Sequence, residues 1–100
     1  MIVHIVLFKA RSNLSAYDEA LLGEAIGSLA GISSVESMTW GPDFSGRAQG
    51  FTHAAILHFA DRESLQRYLD DDVHKKAVES FNQLAPERLI LDYEAAPELT

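Results

Sequence analysis

Ile2-Val3-His4-Ile5-Val6-Leu7-Phe8-Lys9 runs almost unbroken in apolar and β-branched residues, and its two alternating faces decide the fold. In an extended strand successive side chains point to opposite sides, so Ile2, His4, Val6 and Phe8 share one face and Val3, Ile5 and Leu7 the other. Both faces are apolar, so both require cover. A chain of 100 residues has material for a helical layer on one side. The simplest cover for the other side is a second copy of the chain, which predicts a homodimer with two sheets packed face to face.

Outward from this strand the pattern changes period. Ser15 stands as an N-cap before Asp18 and Glu19, and Leu22, Ala25, Ile26 and Leu29 form a helical stripe that Gly31 stops. Val35 to Trp40 reads as a second strand, Gly41 to Gly50 as a loop, and Phe51 to Phe59 as a third strand. Asp61 caps a short helix carrying Leu65, Tyr68 and Leu69, which Asp70-Asp71-Asp72 interrupts. A further helix from about Val73 to Leu84 presents His74, Ala77, Val78 and Phe81 on one stripe, and Pro86 ends it. Leu89 to Glu94 is the last strand. Strand, helix, strand, strand, helix pair, strand is the split βαβ order of the ferredoxin-like α+β fold, with the first and third strands central and antiparallel. One domain over residues 1–94 follows, with Ala95 to Thr100 a loose tail.

Composition narrows the function. The net charge is −7, with eight scattered Lys and Arg, which argues against a nucleic-acid partner. There is no cysteine, which excludes disulfides, thiol catalysis and cysteine metal sites. No apolar run reaches membrane-spanning length, and the first residues lack the basic leader and cleavage pattern of a signal peptide. A cytoplasmic protein with no membrane association is the expectation. Four dispersed histidines do not form a zinc motif, and three consecutive aspartates read as a solvated turn rather than a calcium or magnesium site. Gly41-Pro42-Asp43-Phe44-Ser45-Gly46-Arg47-Ala48 has the glycine spacing of a phosphate loop but lacks its Lys and Ser or Thr and precedes a strand, so nucleotide binding is rejected. No metal and no cofactor are expected.

Four short signatures occur in order: His4 to Lys9; Trp40-Gly41-Pro42-Asp43 with Gly50-Phe51-Thr52-His53-Ala54; Tyr68 through His74; and Leu91-Asp92-Tyr93. In this ordered set the chain resembles the Dabb family, the stress-responsive dimeric α/β-barrel domains, over residues 1 to about 94. The resemblance implies a dimer of ferredoxin-like subunits forming an α+β barrel. It implies less about activity. One plant member, an olivetolic acid cyclase, folds a linear polyketide by aldol condensation, and resemblance to it implies working groups at Tyr68, His74, His4 and His53. Many members read His-Pro-x-His at the helix break, where this chain has Asp71-Asp72-Val73-His74, a more acidic pocket mouth.

His74 sits just inside a helix N-terminus on an apolar stripe. Burial and the helix dipole disfavour its charged form and the aspartates oppose them. A neutral imidazole there could take a proton α to a carbonyl; a packed histidine is the plain alternative. Tyr68, six residues earlier, would point away on an unbroken helix, but a bend at the aspartates could bring its hydroxyl to a substrate oxygen. His4 and His53 lie about 10–13 Å apart along antiparallel strands, too far for one metal ion. They either line two parts of one ligand cavity or are core histidines. His58 falls on the opposite face from His53. Three functions stay open. The first is a cofactor-free proton-transfer enzyme, cyclase or lyase, acting on a small hydrophobic or aromatic carbonyl compound in an apolar pocket. The second is a non-catalytic ligand-binding or stress-response dimer, and the third a cofactor-free monooxygenase.

Overall fold

Three side-chain caps start the three helices of the protein, whose structure, a computed structural model, describes residues 1–96. Ser15 Oγ accepts from the Asp18 N–H at 3.0 Å and opens α1 (Ala16–Ser28). Asp61 Oδ1 accepts from the Ser64 N–H at 2.8 Å and opens α2 (Arg62–Asp70). Asp71 Oδ1 accepts from the Val73 N–H at 2.8 Å and opens α3 (Asp72–Leu84). Each cap satisfies an N–H that the first helical turn leaves without an intrahelical partner. A short 3₁₀ turn, Leu29–Gly31, follows α1, where the glycine stop was expected.

Four strands, β1 (Ile2–Lys9), β2 (Ser37–Pro42), β3 (His53–Phe59) and β4 (Glu87–Glu94), form one sheet in the order β2-β3-β1-β4. Every neighbouring pair is antiparallel. This is the ferredoxin-like α+β fold, with β1 and β3 central as their apolar runs predict. Three strands differ in their boundaries. β4 starts two residues earlier than expected, because Glu87 and Arg88 still pair with Lys9 and Phe8. β2 starts and ends two residues later than expected, because an edge strand tolerates Pro42, whose missing N–H would face outward. β3 starts two residues later, because the Phe51 and Thr52 N–H groups are taken by the Ala48 and Phe8 carbonyls instead. The Ala95 N–H still reaches the Met1 carbonyl at 2.9 Å, so the sheet edge extends into the expected tail, whose last four residues lie outside those described.

The core fills the helix side of the sheet. Ile2, Val6 and Phe8 of β1 meet Ala55, Leu57 and Phe59 of β3 beneath Leu22, Ile26, Tyr68, Ala77 and Phe81 of the helices. On the other side Val3, Ile5 and Leu7 stand in register with Ala54, Ile56 and His58 and with Leu89, Leu91 and Tyr93. Among the described residues no helix lies there, and Leu89, Leu91 and Tyr93 are about half exposed. Among the described residues no helix is long and apolar enough to cross a membrane.

Trp40 turns to the helix side, in register with Ala55, and its indole lies against two glycines of α1. A Cβ at Gly23 would meet Trp40 Cη2 at 3.3 Å, and one at Gly27 would meet Nε1 at 3.9 Å. Glycine in a helix interior costs about 0.5–1 kcal/mol relative to alanine. Gly27→Ala is therefore expected to raise Tm by several degrees. Gly23→Ala gains less, because the ring must yield. Thermal unfolding of the two variants by circular dichroism checks the ranking.

Candidate active site at the break between α2 and α3

The chain turns sharply at Asp71, whose extended backbone (φ −70°, ψ 140°) ends α2 and caps α3 at once. That single non-helical residue decides where Tyr68 and His74 point. Without it, six residues of helix would set them on different faces. With it, the two rings stack obliquely, their centroids 4.6 Å apart. Tyr68 is 1% exposed and also packs on His4, at 5.7 Å and 67°, and on Phe59, at 5.0 Å.

His4 enters from the centre of β1. Directly across the strand pair stands Asp92 of β4, and directly opposed side chains in an antiparallel pair are close enough to bond. The His4 Nδ1 donates to Asp92 Oδ1; a carboxylate can only accept, which fixes the proton on that ring nitrogen. The imidazole of His4 is 5% exposed and the carboxylate of Asp92 43%. Asp92 thus joins the buried group to an open-sided cleft of about 350 Å³ between α2 and β4, lined by Ile2, Arg62, Leu65, Leu69 and Asp92 among others.

The environment separates the acid-base properties of the two rings that meet. Burial pushes the His74 pKa below its usual value; the Leu69 carbonyl and Asp71 oppose this, and His4 and, to a smaller extent, Arg88 add to it. His74 Nδ1 is buried and makes no hydrogen bond of normal geometry. Burial, reinforced by the negative charge of Asp92, pushes the Tyr68 phenol up, so it stays a proton donor. The cluster therefore offers an imidazole kept neutral by burial beside a phenol kept protonated. That pairing can move a proton and stabilise a developing oxyanion.

Of the four residues singled out in the sequence, the structure brings together His4, Tyr68 and His74. His53 lies elsewhere on the helix side, in register with Phe8. It is four residues of strand, about 13 Å, from His4's row. Its Nδ1 bonds Thr52 Oγ1 at 2.8 Å, and it borders a separate cleft with Lys9, Arg11 and Glu19. Burial lowers its pKa, with Glu19 opposing. His58 faces the open side and bonds Ser37 Oγ at 3.1 Å. Asp92 was not singled out by residue type. Its signal was register, since an acid at an inward position of the last strand must lie against an inward residue of the first. Among the described residues no three His, Cys, Asp or Glu converge as metal ligands.

A four-stranded antiparallel sheet with helices on one face, and a histidine-tyrosine cluster at a helix break, define a ferredoxin-like α+β domain. The profile of the stress responsive A/B barrel domain, Dabb, matches residues 2–95, and the chain belongs to that family. No curated protein matches the chain. Similar solved structures include the hydroxynitrile lyase of Passiflora edulis, at TM-score 0.85 and 22% identity over 99% of this chain and 96% of that one. A Dabb family protein from Mesorhizobium loti has TM-score 0.81 and 21% identity, covering 96% of this chain and 97% of its own. A dimeric ferredoxin-like protein of unknown function from Thermobifida fusca has TM-score 0.81 and 19% identity, covering 94% and 90%.

The lowered imidazole pKa values set a pH dependence. His74 and His53 titrate lower in the folded chain than the ordinary 6.5. Between their folded values and 6.5 the unfolded chain binds more protons, so stability is complete above about pH 6.5 and falls on acidification through that window. His74→Gln is expected to remove part of this slope, leaving the part due to His53. Denaturant unfolding at pH 7.5, 6.5 and 5.5 measures it.

Proposed function

We propose that this protein is a cytoplasmic homodimer whose His4–Asp92–Tyr68–His74 cluster acts on a small hydrophobic or aromatic carbonyl compound by cofactor-free proton transfer, as a lyase or cyclase. The observation that carries this is the Tyr68 ring packed on two imidazoles, one anchored by a carboxylate and the other kept neutral by burial. In this reading His74 takes a proton from the substrate's hydroxyl or from the carbon next to its carbonyl. Tyr68 donates a hydrogen bond to the substrate oxygen as charge develops on it. Asp92 orients His4, which holds the substrate. His53, in its own cleft, has no part in the proton transfer and at most binds a distal ligand group. The similarity to a hydroxynitrile lyase supports the reaction class, since releasing cyanide from a hydroxynitrile requires deprotonating the hydroxyl as the carbonyl forms, the proton leaving with the cyanide as hydrogen cyanide.

Dimerisation through the open sheet face is supported by Ile56, Leu89, Leu91 and Tyr93, four exposed large side chains on one face. Contiguous apolar surface of that kind marks an interface. The Thermobifida neighbour is described as dimeric. A non-catalytic dimer is the second reading, favoured by the near-complete burial of His4 and Tyr68, at 4% and 1% exposure.

Two experiments separate these readings. Tyr68→Phe and His74→Ala are each expected to lower turnover of an aromatic hydroxynitrile or β-keto acid by about 10²–10⁴-fold with folding intact; unchanged turnover in folded variants removes both residues from the chemistry, and no turnover by the wild type supports the non-catalytic dimer. Light scattering at micromolar concentration is expected to give twice the chain mass for the wild type and a monomer for Leu91→Asp, which puts a charge in the centre of the open face. A monomeric wild type rules out the dimer.

A further inference from the structure

Arg88, Ile90 and Asp92 alternate along the helix side of the edge strand β4, in register with Phe8, Val6 and His4. On α3 the same order recurs. His74 stacks on Tyr68 beside His4, and Phe81 packs on Phe8 at 4.8 Å with the Arg88 guanidinium 5.8 Å from its ring. The proton-transfer cluster and Arg88 therefore bracket Ile90 along about 13 Å of strand. The helices leave Ile90 56% exposed, although it lies on their side of the sheet.

Arg88 is built as a fixed cation. Nη1 donates to the Ala85 carbonyl and Nη2 to Asn82 Oδ1, each at 3.0 Å. Both acceptors are neutral. Among the described residues no carboxylate pairs with Arg88, and the adjacent Glu87 is bound to Lys9 at 3.0 Å. Of five guanidinium N–H donors, two are used here, so three donors and the whole charge are free. In a chain of net charge −7, an anchored and uncompensated arginine beside an apolar shelf is a receptor for an anion. The charge of Arg88 already reaches His74 and favours its neutral form. At the far end Asp92 and Glu94 repel a carboxylate, so the strand is polarised and fixes which way an acidic ligand lies.

We propose that Arg88 is the specificity-determining residue of this site, and that the ligand is an oxo acid whose carbonyl meets Tyr68 and His74, whose hydrocarbon middle covers Ile90 and whose carboxylate binds Arg88. This rests on the carbonyl site proposed above and names its substrate class.

The test compares 5-oxohexanoate and 7-oxooctanoate with their methyl esters. Affinity is measured by NMR titration, following the His74 imidazole and Ile90 methyl signals. The wild type is expected to bind at least one acid about tenfold more tightly than its ester, the size of effect a charge-assisted pair supplies. Arg88→Gln is expected to erase that preference by weakening acid binding to about the level of the ester, and Arg88→Lys to keep part of it. Raising the salt concentration should weaken acid binding and not ester binding in the wild type, a readout independent of whether Arg88→Gln folds. Equal affinity for acid and ester, or a preference that survives in Arg88→Gln, overturns the role of Arg88; ester binding that shifts His74 then leaves the carbonyl site standing. Binding of neither acid nor ester at His74 overturns both.

Discussion

Everything in this fold hangs on β1 being central. Its backbone is hydrogen-bonded to β3 on one side and β4 on the other. Its inward side chains reach the core, and its outward side chains form the middle of the open face. A strand so placed is satisfied only if both faces are covered, and the helices supply one cover. The same strand puts His4 in the core, where a polar group costs free energy unless it is hydrogen-bonded. Asp92 meets that need because β4 is the neighbour of β1, in a register that sets the two directly opposite. Pairing of the first and last strands therefore closes the sheet topology and satisfies the buried imidazole in one arrangement.

The second constraint is local. Asp71 interrupts the helical hydrogen bonding for one residue, its N–H still reaching back to the Tyr68 carbonyl at 3.2 Å while its side chain caps the next helix. The two helices are thus joined with almost no loop, and the angle between them is set by one extended residue rather than by a flexible link. A ring at the end of α2 and a ring at the start of α3 are then held in contact on rigid elements rather than on loops.

What was legible in the sequence follows the range of the interactions. Ser15, Asp61 and the aspartate run mark helix starts because capping is local. Both-face apolarity marks β1 as central because alternation is local. The convergence of Tyr68 and His74 was legible as a possibility, since an aspartate run permits a bend, but its direction depends on one ψ angle. The separation of His53 from His4 was legible in distance and is greater in consequence, since His53 borders a cleft of its own while His4 is buried. The partnership of His4 with Asp92 spans 88 positions and depends on register, which no short window contains. The seating of Trp40 over Gly23 and Gly27 was equally invisible, because small residues in a helix carry no sign of what approaches them.

The cluster itself makes an argument about selection. Tyr68, Phe59, His4 and His74 fill one end of the core, and apolar rings of similar volume would fill it without the polar groups. Fully apolar replacements for buried polar networks are often neutral or stabilising. The chain instead keeps two imidazoles, a phenol and a carboxylate there, and sets the carboxylate at the lip of an open-sided cleft. A protein of 100 residues has little stability to spare, so polar groups at this end of the core are kept at a cost that apolar rings of similar volume would avoid, and Asp92 is the member of the group that lines the cleft.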